Sequence, residues 1–124
     1  MYWKNKKILI IGGAGLLGSH LMDLLIKLNA DVAVLDNLRT GRIENINHSM
    51  NLIKFVNADI RDYKAIEKYI LKADIVFHLA AHMEVRLAVK NPELDFQINM
   101  IGTNNIFRAC LKSNINRLIF ASSC

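Results

Sequence analysis

The sequence predicts an α/β fold: a doubly wound parallel sheet in the strand order 3-2-1-4-5, cut off after the fifth strand. Three observations predict it. Short, continuously apolar runs recur along the chain, as expected for strands buried on both faces. Amphipathic helical patterns separate most of them. The first run enters a glycine loop, Gly12-Gly13-Ala14-Gly15-Leu16-Leu17-Gly18, and a helical pattern follows at once.

The elements follow in order. The strand-like runs are Ile8–Ile11, Val32–Leu35, Leu52–Val56, Ile75–Leu79 and Leu118–Ala121. After the glycine loop, Leu17, Leu21, Leu24, Leu25 and Leu28 predict one apolar helix face. The polar stretch from Arg39 to Asn51 predicts irregular chain with a short helix near Ile43–Ile46. Asp62 reads as the N-cap of a helix carrying Ala65, Ile66 and Ile70 inward. Asn91-Pro92 opens another helix, with asparagine as cap and proline at the first helical position. That helix is predicted to run over 92–112, with Phe96, Ile106, Phe107 and Cys110 facing the core.

Composition bounds the rest. The 124 residues amount to one domain or less, and 52% apolar content is enough for a core. No apolar run approaches the roughly 20 residues of a membrane span. Met1-Tyr2-Trp3-Lys4 leads straight to a strand, without a signal-peptide pattern. The two cysteines, Cys110 and Cys124, form no disulfide framework and predict a reducing cytoplasmic setting. The net charge of +5 reads as a solvated basic surface. Only Tyr2 and Trp3 lie among the N-terminal lysines, so no nucleic-acid surface is predicted. No two histidines share a helix face at metal spacing.

The candidate chemistry begins at the loop. Gly12, Gly15 and Gly18 open a helix after a strand, which presents backbone N–H groups to a phosphate. Asp36 ends the second strand, 18 residues past Gly18. A carboxylate there accepts hydrogen bonds from both hydroxyls of an adenosine ribose and repels a 2′-phosphate, favouring NAD over NADP. Together these features predict a Rossmann-type dinucleotide site. His78, inside an apolar run, reads as a core histidine. His82 reads first as an exposed loop histidine and second as a substrate contact.

A more specific resemblance rests on longer segments. The stretches Gly12–Leu21, Asp36–Gly41, Asp59-Ile60-Arg61-Asp62, His78-Leu79-Ala80-Ala81, Asn99-Met100-Ile101-Gly102-Thr103 and Ala121-Ser122-Ser123 occur in this order. In them the chain resembles the N-terminal part of the extended short-chain dehydrogenase/reductase family, in its NAD-dependent sugar-nucleotide epimerase/dehydratase branch. Within that branch the chain resembles UDP-glucose 4-epimerase-like sequences.

The resemblance implies roles residue by residue. Leu16 and Leu17 would offer backbone N–H groups to the pyrophosphate. Asp36 and Asn37 would hold the adenosine ribose. Asp59 would meet the adenine amino group, with Ile60 beside the ring. Leu79, Ala80 and Ala81 would line the cofactor path. Asn99 would sit near the nicotinamide half or pin its helix beside the fourth strand. Ser123 would be the catalytic serine, bonding the reacting hydroxyl of a nucleotide-sugar substrate. Glu84 departs from the small residue usual at its place.

The family's Tyr-x-x-x-Lys pair lies on a helix after the fifth strand, beyond Cys124. Tyr63 and Tyr69 are followed four residues later by Glu67 and Ala73; Tyr2 precedes Lys6 but also precedes the first strand. The expectation is an NAD-binding portion, inactive alone, of a nucleotide-sugar epimerase or dehydratase. The alternative is a free-standing NAD-binding or sensing module, or a subunit completed by a partner chain. Self-association is expected through the uncovered fifth-strand edge or the helix over 92–112.

Overall fold

A computed structural model describes residues 1–122. The expected catalytic Ser123 lies outside the described residues, as does Cys124. Five strands form one parallel sheet: β1 (Lys7–Ile11), β2 (Asp31–Asp36), β3 (Lys54–Asn57), β4 (Ile75–His78) and β5 (Arg117–Phe120), in the order β3-β2-β1-β4-β5. The predicted order holds.

β1 shows why these runs are continuously apolar. Ile8 and Ile10 pack on one face with Met22, Leu25, Val32 and Val34. Leu9 and Ile11 pack on the other with Ile66, Ile70, Val76 and Ile106. Successive side chains alternate between faces, and helices cover both. The strand order reverses between β1 and β4, so the carboxyl ends of these strands flank a crevice suited to a ligand.

The helices are α1 (Leu16–Lys27), α2 (Tyr63–Ile70), α3 (Val85–Lys90), α4 (Pro92–Asp95) and α5 (Thr103–Lys112). Short 3₁₀ turns at Ile43–Asn45 and Asn47–Ser49 occupy the polar stretch, as expected. Both predicted caps form: Asp62 accepts from the Ala65 N–H, and Asn91 from the Leu94 N–H ahead of Pro92. From Pro92 to Lys112 the chain stays helical, but Phe96–Gly102 widens into a π-helix. The short α3 was not expected.

Several sequence expectations need correction. α1 buries Gly18, Ser19, Met22 and Leu25, while Leu17 and Leu24 face outward. Small residues on the buried face let the helix approach the glycine loop. Leu52 is exposed in a turn, and the third strand starts at Lys54. The fourth strand stops at His78 rather than Leu79, and the fifth spans Arg117–Phe120 rather than Leu118–Ala121. Phe96 and Phe107 are exposed; Phe107 instead meets the Phe120 ring edge-on at 5.8 Å.

Candidate functional site

The turn from β1 into α1 builds the centre of the site. Gly12 has φ +83°, and a Cβ there would lie 2.7 Å from the Ala80 nitrogen. A Cβ on Gly18 would lie 2.5 Å from the Gly12 carbonyl oxygen. These glycines are required by packing of the loop on β4 and α1 respectively. Gly15 differs: its Cβ would meet only the Gly12 oxygen, at an ordinary 3.4 Å. Gly15 is the N-cap of α1 and supplies no side-chain cap. Helix bonding starts with Ser19 N–H to the Gly15 carbonyl, so the Leu16 and Leu17 amides have no acceptor within the helix. Amides and helix dipole there favour an anion.

Asp36, at the end of β2, is buried against this loop. Its Oδ2 accepts from the Ala14 amide at 3.0 Å, and its Oδ1 from the Leu38 amide at 2.8 Å. A carboxylate offers about four acceptor positions, so two remain. Gly41 keeps the space beside them open: a Cβ there would stand 2.9 Å from both Asp36 oxygens. The Arg42 amide and the Asn45 side chain both donate to the Ala14 carbonyl, closing this segment onto the loop. Sequence reasoning assigned no role to Ala14, Gly13 or Gly41. The last two carried a signal, since a glycine in a predicted close-approach segment marks missing Cβ space; a Cβ on Gly13 would stand 2.6 Å from Val34.

Beyond β3, Asp59 is tightly engaged. Its Oδ1 accepts from the Arg61 amide and Nε, and its Oδ2 from Arg61 Nη2 at 2.7 Å and Asn37 Nδ2 at 3.0 Å. The Arg61 side-chain bonds, with its amide and Asn37 assisting, lower the Asp59 pKa to about 2. All four acceptor positions are filled, so an adenine amino group reaches this carboxylate only by displacing one donor. Ile60 is buried beside it, and a Cβ on Gly102 of the π-helix would sit 2.5 Å from its side chain.

On the β4 side, Leu79, Ala80 and Ala81 run along the opening. His82 corrects the expectation of an exposed loop residue: it is 9% exposed. Its Nδ1 lies 3.1 Å from Asp95 Oδ1, and its amide donates to Asn99 Oδ1 at 2.8 Å. Asn99 Nδ2 donates back to the His82 carbonyl and to Asp95 Oδ1, both at 3.0 Å. Asn99 therefore pins the loop after β4 to the π-helix. His78 is fully buried, its Nε2 2.8 Å from Thr103 Oγ1, and burial lowers its pKa to about 4.

One groove joins these parts. Asp36, Asn37, Asp59 and Ile60 line one side, Gly12 and Gly15 the middle, and Leu79, Ala80 and Ala81 the other. Leu16, Leu17, Gly18 and Asn99 do not line it; Gly18 and Asn99 hold its walls in place. None of Tyr2, Tyr63 and Tyr69 lines it either, and Tyr63 donates its hydroxyl to Glu67 at 2.7 Å. Among the described residues, no three His, Cys, Asp or Glu side chains gather as a metal site. Chemically, the groove offers a carboxylate with open acceptor positions and a path without bulk at Ala80 and Ala81, beside the unbonded amides at the start of α1. A dinucleotide presents groups complementary to these.

The comparisons agree with that geometry. The model of the NAD dependent epimerase/dehydratase family matches residues 8–124. A Methanocaldococcus jannaschii protein described as "Putative UDP-glucose 4-epimerase" is 49% identical over 117 residues, covering 94% of this chain and 37% of that protein. The Thermotoga maritima UDP-glucose 4-epimerase, solved with UDP-glucose, superposes with TM-score 0.87 at 36% identity, covering 94% of this chain and 37% of its own. The Thermus thermophilus UDP-glucose 4-epimerase, solved with NAD, gives TM-score 0.84 at 37% identity over the same shares. The chain thus spans little more than a third of the length of these relatives.

Proposed function

We propose that this chain, which belongs to the NAD-dependent epimerase/dehydratase family, is the NAD-binding portion of a nucleotide-sugar epimerase or dehydratase. The observation that carries the reading is Asp36, fixed against the glycine loop by the Ala14 amide with two acceptor positions to spare. Two adjacent ribose hydroxyls match two adjacent lone pairs. A 2′-phosphate would bring negative charge against the Asp36 carboxylate, so NAD is preferred over NADP.

In this reading the Leu16 and Leu17 amides hold the pyrophosphate, and Asn37 stands beside the adenosine ribose. Ile60 packs against the adenine. Asp59 shapes that end by holding Asn37 and Arg61 in place. Leu79, Ala80 and Ala81 admit the second half of the dinucleotide, and Asn99 keeps their loop closed on the π-helix. Bound NAD supplies a hydride acceptor for a sugar carbon. Ser123 would bond the reacting sugar hydroxyl, and the substrate would be a nucleotide sugar, as in the relatives solved with UDP-glucose and UDP-N-acetylmuramic acid.

Among the described residues no tyrosine lines the groove, and these 124 residues contain no Tyr-x-x-x-Lys pair after the fifth strand. The chain alone is therefore proposed not to turn over. A reducing cytoplasmic setting is part of the proposal, supported by the low count of two cysteines. The second reading, a free-standing NAD-binding module or a subunit completed by a partner chain, draws on the same groove. Assaying the purified chain with UDP-glucose and NAD tests the first reading: binding without epimerisation is expected, and robust turnover contradicts it.

A further inference from the structure

The strap that follows β2 passes Asp36 with a glycine that its backbone conformation does not demand. Gly41 lines the groove together with Asp36. Among the described residues Gly12 is the glycine with a left-handed φ, so Gly41 adopts a conformation open to any residue. What the missing side chain leaves is space beside one carboxylate. A Cβ there would stand 2.9 Å from Asp36 Oδ1, 2.9 Å from Asp36 Oδ2 and 3.0 Å from the Ala14 Cβ.

Both bodies around that space are held. The Arg42 amide at 3.0 Å and Asn45 Nδ2 at 2.8 Å donate to the Ala14 carbonyl, and the fully buried Ile46 anchors the strap in the core. The Ala14 amide donates to Asp36 Oδ2 at 3.0 Å, and the Leu38 amide to Oδ1 at 2.8 Å. Ala14 thus holds the carboxylate through its N–H and the strap through its C=O. The strap cannot retreat from an added methyl group without losing hydrogen bonds to Ala14. The Ala14 methyl is fixed to the loop backbone. The carboxylate is the end of a side chain and turns about χ2, so it gives way first. Each Asp36 oxygen accepts one amide and keeps one acceptor position of its own. Turning the carboxylate misdirects both remaining positions at once.

We infer that Gly41 is a positioning residue for the ribose, whose missing side chain leaves Asp36 in the orientation that offers one acceptor to each of two adjacent hydroxyls. The inference rests on the NAD reading above. In this arrangement a carboxylate at the end of β2 is not sufficient. Recognition of the paired hydroxyls also requires residue 41 to carry no side chain, which places part of the selectivity in the strap, outside the glycine loop.

The test is calorimetric titration of the 124-residue chain with NAD, ADP and 2′,3′-dideoxy-ADP. Wild type, Gly41→Ala, Asp36→Ala and the double variant are compared, each checked for folding by circular dichroism. ADP carries both ribose hydroxyls and the dideoxy analogue has neither. The wild type is expected to prefer ADP at least about tenfold. Gly41→Ala is expected to fold and to bind the dideoxy analogue as the wild type does, while its preference for ADP falls below about threefold. NAD affinity falls with that for ADP. On the Asp36→Ala background the same substitution is expected to change ADP affinity by less than about twofold, because the carboxylate it acts through is gone.

A Gly41→Ala chain that keeps the wild-type preference for ADP overturns the inference and leaves the NAD reading intact. An equal loss for both nucleotides, a loss that persists on the Asp36→Ala background, or a Gly41→Ala chain that does not fold overturns it in favour of a structural role. A wild type that binds ADP without preferring it over the dideoxy analogue overturns the ribose reading of Asp36 and the inference with it. One that binds neither ADP nor NAD overturns the NAD reading itself.

Discussion

The Ala14 amide donates to Asp36 Oδ2 at 3.0 Å, tying the glycine loop to the end of β2 across 22 residues. This bond aims the carboxylate at the groove and fixes its distance from the α1 amides. Replacing Asp36 with alanine removes the carboxylate proposed to accept from the ribose and leaves the Ala14 and Leu38 amides unpaired. Hydrogen bonds to a charged group contribute about 1.5–3 kcal/mol each. Asp36→Ala is therefore expected to weaken NAD binding at least about tenfold, measured by calorimetry. Asp36→Asn should retain more stability than Asp36→Ala, because its carbonyl still accepts one amide.

The three glycines of the loop should respond differently to alanine. A Cβ on Gly18 meets backbone at 2.5 Å, and one on Gly12 meets backbone at 2.7 Å with φ +83°. Gly12→Ala and Gly18→Ala are expected to lower the melting temperature sharply. Gly15→Ala meets only an ordinary contact at 3.4 Å. It should fold with little loss of stability and lose NAD affinity, because its methyl group enters the lining of the groove. Thermal melts and NAD titrations on the three variants separate these effects.

His78 gives the fold a pH dependence. Its pKa falls from an ordinary 6.5 to about 4 through burial. As pH drops below 6.5, the unfolded chain takes up a proton that the folded chain refuses until about pH 4. Stability should therefore fall with decreasing pH across that window, and this contribution should level off below it. Urea midpoints between pH 4 and 7 measure the slope. His78→Phe, if folded, should flatten it; an unchanged slope would assign the effect elsewhere.

The uncovered side of β5 should promote association. Among the described residues β5 pairs only with β4, and Phe120 at its end is 46% exposed. Open edges and apolar surface invite contacts between copies. Light scattering of the purified chain is expected to show mass rising with concentration. A monomer that persists at high concentration would contradict this.

Some of this molecule was legible in the sequence because the signals are local. The strands are continuous apolar runs, and Asp62 and Asn91 cap helices through bonds three residues away. Asp36 was legible because its position after the glycine loop is set by one strand-helix-strand unit. Other features depend on distant chain. His82 looked like a loop histidine because its burial comes from Asp95 and Asn99, 13 and 17 residues on. Leu17 and Leu24 misled because leucines carry the strongest apolar signal, whereas α1 buries glycine and serine to come close to the loop. The saturation of Asp59 is equally invisible without coordinates, since it depends on how Arg61 turns back.

The central claim is that these 124 residues bind NAD in the groove beside Asp36. Calorimetric titration of the purified chain with NAD tests it most directly. Saturable one-to-one binding, abolished or strongly weakened by Asp36→Ala, is the predicted result. No heat of binding at millimolar NAD, with the chain folded by circular dichroism, would contradict it.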